Sequence, residues 1–332
     1  MSDTMRAAAV GGFGGVEQIK IKDMPVPVPA GGEVLVRVHG AGINPIDNKF
    51  RNREVPAPIW QNPDFPVIAG WDLSGTVAEA AGGFAAGDDV YGMVRFPHFA
   101  GTCAEFATAP SAHLSLKPQN IDHLHAAGVP LAALTAWQAI EAGGLKSGQT
   151  ALIHAAAGGV GLIACQWAKH LGATVIGCVG TQEKAELAKA HGCDHPILYR
   201  DENVPERVNE ITGGEGVPVV YDSVGKDSFE DSLDCLRPFG LMVSFGSASG
   251  PVEPFNIAAL GPKGSLHLTR QTLGTHTATR ALLDECAGAL FDVVGGGQVK
   301  INVNQTYPLA ETAQAHRDLE ARKTTGSTVL TV

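Results

Sequence analysis

Charged and aromatic residues are scarce in this chain of 332 residues, at 17% and 6% of the composition. The charges are mostly negative, since 24 Lys and Arg against 34 Asp and Glu give a formal net charge of -10. A surface of this sign repels phosphate backbones and anionic lipids, which argues against nucleic acid or a membrane surface as a general partner. With 44% hydrophobic residues the chain can bury a substantial core, and its length suits two domains.

Cysteine is also scarce. The six cysteines form no C-x-x-C pair, and several lie in apolar runs, where a thiol packs as a small hydrophobic group. So few cysteines in a chain of this length argue against a disulfide framework. No signal peptide is recognisable, and we therefore expect a cytoplasmic location.

One apolar run, residues 151–168, approaches the length of a transmembrane helix. It is interrupted by His154, Gln166 and the pair Gly158-Gly159. A buried strand, a turn and a helix explain this pattern better than a membrane span, and we expect no membrane association.

The first 120 residues are rich in Gly, Pro and short β-type runs, such as 33–38, in which Val34, Val36 and Val38 alternate with other residues. This texture predicts an irregular β domain. After a helix expected over 123–142, apolar strands and helices alternate. The expected strands are 150–154, 174–179, 196–199, 217–221, 240–245 and 265–269. The expected helices between them are 160–171, 182–191, 204–212 and 228–236.

This alternation predicts an α/β fold, with a parallel sheet covered by helices on both faces. The tail adds an expected helix over 277–294, a strand near Ile301, a helix over 309–322 and a strand over 327–332.

A glycine-rich turn, residues 155–161, follows the first of these strands and opens a helix. Aligned on the pattern G-x-G-x-x-G, it has Ala156 in place of the first glycine. Gly158 would let the backbone approach a pyrophosphate, and Gly161 would let helix and strand pack closely. A tight turn without a ligand is the alternative, but the further β–α units favour a dinucleotide site, where the helix N-terminus binds the anion.

The end of the second strand indicates which dinucleotide is bound. NAD enzymes place an acid there to bind the ribose 2′-hydroxyl, whereas this chain has Gly180 and Thr181, with Lys184 close behind. Tyr199, ending the next strand, could add a hydroxyl donor, and Glu183 can point away along the helix. The corner suits a 2′-phosphate, and therefore NADPH, better than a bare hydroxyl.

Several segments resemble the medium-chain dehydrogenase/reductase superfamily, in its quinone oxidoreductase branch of the zeta-crystallin type. They are residues 154–164, 179–184, 219–225 and 240–246, together with Gly42-Ile-Asn-Pro-Ile-Asp47 and Leu134-Thr-Ala-Trp137. The resemblance implies a Rossmann domain, a doubly wound parallel sheet, at 125–270. It also implies a GroES-like β domain at 1–124 that is completed by 271–332.

The resemblance further implies NADPH as cofactor and a set of contacts to it. Asn44 and Thr135 would lie near the nicotinamide, and Arg322 would close over the phosphates. Pyrophosphate contacts would come from Gly158, Gly159 and Val160; adenosine-phosphate contacts from Gly180, Thr181, Lys184 and Tyr199; ribose and nicotinamide contacts from Ser223, Phe245, Gly246 and Ser247.

The zinc ligands of the related alcohol dehydrogenases are not found at the matching positions. Asn44 stands near the first cysteine ligand, and Gly70-Trp71-Asp72 replaces a Gly-His-Glu motif. The histidines show no metal spacing, so we expect a zinc-free enzyme. Without a Lewis acid it should prefer acceptors that are already electrophilic, such as quinones or enones.

The residues that shape the acceptor pocket are less familiar. The family's tyrosine-containing stretch is here residues 48–53, and the segment 59–64 is also unlike the family. Asn44 and Asp47 are candidates for lining the site, although Asp47 could equally hold its loop. No general acid is evident, and water could supply the final proton.

Three functions therefore stay open. The first is an NADPH-dependent quinone reductase, the second a double-bond reductase of enones or 2-alkenals, and the third a catalytically silent NADPH-binding redox sensor. The strand 265–269 should lie at the sheet edge, where unpaired backbone groups accept a partner strand. Together with the resemblance, this predicts a homodimer.

Overall fold

The computed structural model describes residues 3–54, 63–98 and 100–332, so residues 59–62 of the unfamiliar segment 59–64 lie outside it. The chain forms two compact units. One contains Met1–Ala132 and Ile301–Val332, and the other contains Ala133–Lys300.

The described elements are sixteen strands, ten α-helices and short 3₁₀ turns. The strands are β1 Thr4–Val10, β2 Ile19–Pro25, β3 Glu33–Ile43, β4 Val67–Ile68, β5 Asp72–Val77, β6 Asp89–Met93, β7 Phe106–Pro110, β8 Ser115–Leu116, β9 Thr150–Ile153, β10 Thr174–Val179, β11 His195–Leu198, β12 Val217–Asp222, β13 Leu236–Ser244, β14 His267–Arg270, β15 Val303–Pro308 and β16 Ser327–Thr331. The helices are α1 Pro45–Arg51, α2 His123–Ala127, α3 Pro130–Gly143, α4 Gly159–His170, α5 Gln182–Ala190, α6 Val204–Ile211, α7 Phe229–Asp234, α8 Leu273–His276, α9 Arg280–Gly295 and α10 Thr312–Glu320.

The second unit is built on a parallel sheet of six strands in the order β11-β10-β9-β12-β13-β14. Leu152, Ile176 and Ile197, on three adjacent strands, have no exposed surface, as expected for a sheet covered on both faces. The strand order reverses between β9 and β12. In doubly wound sheets this switch point, at the carboxyl ends of the strands, is where ligands bind.

The first unit is centred on β3, which pairs antiparallel with β5, β7 and β16. The longer sheet runs β15-β16-β3-β5-β6-β8, and a second sheet runs β2-β1-β4. Because β16 ends the chain and pairs with β3, the C-terminal strands complete a β unit begun near the N-terminus.

The helix expected over 123–142 is two helices. Asp122 caps α2 by accepting the His125 N–H at 2.8 Å, and α2 ends at Ala127 with Gly128 as its C-cap. Pro130 then begins α3, because proline has no N–H to continue a helix and fits best in a first turn.

The two units meet after Ala132 and after Lys300, whereas the sequence predicted boundaries after residues 124 and 270. Helices α8 and α9 belong to the unit that contains the parallel sheet. The C-terminal end of this unit is bound to α4. The Gln166 side-chain amide donates to the Lys300 carbonyl and accepts the Lys300 N–H.

All six cysteines are free and buried, in agreement with their apolar surroundings in the sequence. The apolar run 151–168 folds as β9, the glycine turn and α4. Of the helices in the described residues, none has the length and hydropathy required to cross a bilayer.

Candidate functional site

The glycine turn lies between β9 and α4, at the switch point of the sheet. Ala155 takes a left-handed conformation (φ 51°), and the Gly158 N–H donates to the Ala155 carbonyl at 2.9 Å. The Ala156 N–H donates to the carbonyl of Cys178 on β10 at 3.1 Å. Gly158 is the N-cap of α4, so the turn points the N-terminus of a 12-residue helix out of the sheet edge.

The two later glycines of the turn serve different purposes. A Cβ on Gly161 would lie 2.2 Å from the Ala155 carbonyl oxygen, so the packing of α4 on the turn requires glycine there. A Cβ on Gly158 would meet only that same carbonyl, at 3.3 Å. Packing within the protein therefore demands glycine less strictly at Gly158, and its bare backbone leaves room for a ligand.

The alanine at the first glycine position is matched by a glycine on the next strand. A Cβ on Gly177 of β10 would lie 2.8 Å from the Ala156 Cβ and 2.7 Å from the Cys193 sulfur. The Ala156 methyl group is accommodated because Gly177 has none. The sequence marked Ala156 only as a departure from the motif and did not reveal its partner.

A basic corner forms where β10 and β11 end; we define it as Gly180, Lys184, Tyr199 and Arg200. Thr181 caps α5 by accepting the Lys184 N–H at 3.3 Å. A Cβ on Gly180 would lie 3.0 Å from the Tyr199 hydroxyl and 3.3 Å from the Arg200 Nε, so both side chains reach Gly180.

The sequence did not identify Arg200 as a candidate site residue. Its only signal was its position directly after Tyr199, past the end of an expected strand. The corner thus contains two cationic residues and a hydroxyl, and glycine at 180 allows the Tyr199 and Arg200 side chains to come close to the backbone there. Cationic and hydroxyl donors are suited to binding a phosphate group.

The ends of β12 and β13 lie beside the glycine turn. The His154 N–H donates to the Tyr221 carbonyl at 3.0 Å, which joins the turn to β12. Gly246 follows β13, and a Cβ there would lie 2.3 Å from the Ser223 carbonyl oxygen. The structure therefore brings the segments that carry Gly158–Val160, Ser223 and Phe245–Ser247 to one edge of the sheet.

Three other candidate residues lie elsewhere. Thr135 is buried on α3 in the same unit as the parallel sheet. Asn44 and Arg322 belong to the other unit, where Arg322 follows α10 in a left-handed conformation (φ 56°).

Asn44 and Asp47 belong to a buried polar cluster around the N-terminus of α1. The Asn44 N–H donates to Asp47 Oδ2 at 2.7 Å, and its side-chain Nδ2 donates to Asp72 Oδ2 at 2.9 Å. Asp72 Oδ1 also accepts the Leu131 N–H, at 3.1 Å. The Asp47 carboxyl therefore caps α1. A cap of this kind is a way of holding the loop before α1, which was the alternative to lining the site.

Burial shifts both acids of this cluster. Loss of hydration raises the pKa of Asp47 to about 7, against the lowering effect of its backbone hydrogen bonds. Burial also raises the pKa of Asp72 well above its usual range, and the nearby Asp47 carboxyl adds to the rise. Asp72 was not singled out in the sequence except as the last residue of the altered Gly-His-Glu motif.

The positions that match the zinc ligands of alcohol dehydrogenases hold side chains that bond within the protein. Asn44 and Asp72 are hydrogen-bonded to each other, and the Trp71 indole N–H donates to the His98 carbonyl at 2.7 Å. The Trp71 ring packs edge-on against Phe50, with ring centroids 6.3 Å apart. Within residues 3–54, 63–98 and 100–332, no group of three or more His, Cys, Asp or Glu side chains is arranged to hold a metal ion.

The unfamiliar stretch 48–53 is mostly committed to packing. Phe50 is buried and also contacts Phe13 edge-on, at 5.8 Å between centroids. Arg51 is only 1% exposed, forms an ion pair with Glu320 on α10 and donates to the Gly14 carbonyl at 2.8 Å.

Comparison with known proteins agrees with this geometry. Residues 30–133 match the alcohol dehydrogenase GroES-like domain, and residues 159–288 match the zinc-binding dehydrogenase family. A quinone oxidoreductase from Pseudomonas aeruginosa is 45% identical over 323 residues, covering 96% of this chain and 97% of the relative. The chain belongs to the quinone oxidoreductases of the medium-chain dehydrogenase/reductase superfamily. It is therefore an oxidoreductase, and the expected pairing of a Rossmann domain with a GroES-like domain is confirmed.

Other members of the superfamily extend the comparison. A 2-haloacrylate reductase from a Burkholderia species is 39% identical over 331 residues, covering 98% of each chain. The structure of a mycobacterial protein complexed with NADPH superposes with a TM-score of 0.92 at 39% identity, covering 99% of this chain and 100% of that one. The quinone oxidoreductase of Escherichia coli, also complexed with NADPH, gives a TM-score of 0.91 at 39% identity and covers 98% and 100%.

Proposed function

We propose that the protein is an NADPH-dependent, zinc-independent reductase that transfers a hydride to a quinone. The observation that carries this proposal is the basic corner at the ends of β10 and β11. An NAD enzyme places an acid at this point, whereas here Tyr199 and Arg200 lie beside Gly180, with Lys184 in the first turn of α5. The names of the relatives and the NADPH in two similar structures support the same cofactor and acceptor.

The residues present fit NADPH. The bare backbone at Gly158 and the N-terminus of α4 suit a pyrophosphate, and the basic corner suits the adenosine phosphate. We further propose Ser223, Phe245, Gly246 and Ser247 as contacts to the ribose and nicotinamide. Asn44, Thr135 and Arg322 remain proposed contacts through resemblance to the family.

When bound, NADPH supplies the hydride, and the protein supplies position. Asn44 is suited to this task because its amide is held by Asp72 and its backbone by Asp47. Since the zinc-ligand positions do not suit a metal, nothing there polarises a carbonyl or stabilises an alkoxide. The acceptor must therefore be electrophilic by itself, as a quinone is, and we infer that water supplies the final proton.

A double-bond reductase is the second candidate, favoured by the full-length similarity to a 2-haloacrylate reductase. A conjugated acid or ketone can accept hydride at its β-carbon without a Lewis acid. Initial rates with a benzoquinone, an α,β-unsaturated ketone and 2-chloroacrylate, each with NADPH and NADH, separate the possibilities. We expect the quinone to give the highest kcat/KM, and a higher value for the ketone or the acrylate would favour the second candidate.

The same measurements test the silent redox sensor, which would bind NADPH but turn over none of these acceptors. NADPH binding, followed by the fluorescence of the reduced nicotinamide, is the necessary control. Turnover of any one acceptor at a rate proportional to enzyme concentration would exclude that role.

We also propose a homodimer that forms along β14, one of the two edge strands of the parallel sheet. Its Leu268 is 38% exposed. Ile257, in the connection before β14, is 76% exposed, and Phe239, whose N–H donates to the Gly264 carbonyl, is 74% exposed. An open strand edge with apolar side chains is suited to a second copy of the chain.

The six free, buried cysteines are consistent with the cytoplasmic location that we propose.

A further inference from the structure

A closed hydrogen-bond network lies beneath the carboxyl ends of β9 and β12. Its centre is Asp222, the last residue of β12, which has no exposed surface. Asp222 Oδ1 accepts the N–H groups of Val224 at 2.7 Å and Gly225 at 3.0 Å. The carboxylate thus holds the loop that leaves β12, which includes Ser223.

The other oxygen of the same carboxylate reaches α7 and then the glycine turn. Asp222 Oδ2 accepts the hydroxyls of Ser228 at 2.7 Å and Ser232 at 2.8 Å. Ser232 also lies 3.0 Å from Nε2 of His154, the residue between β9 and the glycine turn. Because the single hydroxyl proton of Ser232 goes to Asp222, His154 must be the donor, and its ring carries a proton on Nε2.

The protonation states of this network agree with one another. Burial lowers the pKa of His154, although Asp222 and Asp231 oppose the effect, so the ring is neutral with one N–H. A carboxylate is the only side chain that can accept four donors without presenting a hydrogen of its own. An asparagine at 222 would place an N–H₂ group against two of those donors.

We propose that Asp222 is a positioning residue that holds the Ser223–Gly225 loop and the glycine turn in register across the switch point. The proposal rests on the proposed function, since both segments belong to the proposed NADPH site. Gly225 shows how tightly the loop is placed, since a Cβ there would lie 2.8 Å from the Gly250 carbonyl and 2.9 Å from the Ser247 Cα. A shift at Asp222 would therefore also reach the segment after β13.

The network and the basic corner lie on opposite sides of β9 in the sheet order. Loss of the network should therefore weaken NADPH and NADH by the same factor. Loss of a corner cation should weaken NADPH alone. This difference separates a positioning role from 2′-phosphate recognition.

The test uses Asp222→Asn and Ser232→Ala in the full chain, with Glu230→Gln as the matched control. Glu230 is an exposed acid on α7, the helix that carries Ser232. Dissociation constants for NADPH and NADH are measured by fluorescence, beside the melting temperature of each variant. We expect Asp222→Asn to raise both constants about tenfold, Ser232→Ala to raise both by less, and the control to change neither.

A merely structural role would lower the melting temperature and leave both dissociation constants unchanged, and this result would overturn the proposal. If Asp222→Asn does not fold, Ser232→Ala decides by the same criterion. If the wild-type chain binds neither nucleotide, the proposed function itself is wrong.

A spectroscopic measurement tests the network directly. In ¹⁵N-histidine-labelled protein, the ring of His154 should show a protonated Nε2, with the signal assigned by its loss in His154→Gln. Ser232→Ala should remove the acceptor of that proton, shift the resonance and speed its exchange with water. A protonated Nδ1 in the wild-type ring would contradict the network.

Discussion

Asp47 offers a quantitative test of the polar cluster at α1. Its carboxyl is 2% exposed, and burial raises its pKa from 3.8 to about 7. Between pH 3.8 and about pH 7, the Asp47 carboxyl is ionised in the unfolded chain but protonated in the folded chain. The stability that the protonated form provides is thus fully present below the unfolded pKa and is lost as pH rises through the folded pKa.

The size of the effect follows from the shift. At 1.36 kcal/mol per pKa unit, the ionised carboxyl costs the folded state about 4 kcal/mol once the pH is well above 7. Over the accessible range, from about pH 5 to about pH 8, the contribution of Asp47 to the free energy of unfolding should fall by about 3 kcal/mol. Asp47→Asn keeps an oxygen for the Asn44 N–H but cannot ionise, so its stability should lack this component.

The assay is urea denaturation of both proteins across that pH range. The difference in free energy of unfolding between Asp47→Asn and wild type removes the contribution of titrating groups that do not interact with Asp47. Asp72 is the exception, because the Asp47 carboxyl adds to the rise in its pKa. We expect this difference to move in favour of the variant as the pH rises, by about 1.2 kcal/mol per pH unit near pH 6. Stability curves that run parallel from low to high pH would refute the assignment of a buried, shifted carboxyl.

Four further outcomes are expected. Lys184→Ala and Arg200→Ala should each lower kcat/KM for NADPH about tenfold while leaving NADH nearly unchanged, and equal losses for both nucleotides would argue against a 2′-phosphate site. Dialysis against EDTA should leave quinone reduction at full rate, whereas a loss restored by added zinc would show a metal enzyme. Leu268→Lys on β14 should shift the mass measured by light scattering from dimer to monomer, and an unchanged mass would place the interface elsewhere. Gly177→Ala should destabilise the fold by about 1–3 kcal/mol, and adding Ala156→Gly should recover part of that loss.

The parallel sheet could be predicted well because each of its strands is a short apolar run between glycine-rich turns. β10 begins and ends where the sequence indicated, at Thr174 and Val179. The sequence indicated a β-type run only over 33–38, whereas β3 continues to Ile43 through Gly40 and Gly42. A Cβ on Gly42 would lie 2.6 Å from the Ala127 carbonyl, so glycine there serves close packing against α2.

In the candidate site, residues that belong to one local motif could be predicted from the sequence, whereas residues brought together by strand pairing could not. The glycine turn and Lys184 are readable because their chemistry depends on spacing along one segment. Arg200 reaches Gly180 only because β11 pairs with β10, and no local pattern contains that pairing. Asp222 is connected to His154, 68 positions away in the sequence, through the Ser232 hydroxyl, and this connection depends on the pairing of β12 with β9.

The positions that match the zinc ligands of related alcohol dehydrogenases show why the acceptor is harder to infer than the cofactor. A zinc site would fix one oxygen of the substrate, and its ligands would identify the chemistry by themselves. Here Asn44 and Asp72 satisfy each other, so the cluster provides a rigid support without a group that selects one carbonyl. Selection must then depend on the shape of the acceptor and on its own electrophilicity. Quinones and activated alkenes share that property, which is why rates with matched acceptors, rather than further inspection of this cluster, distinguish the two.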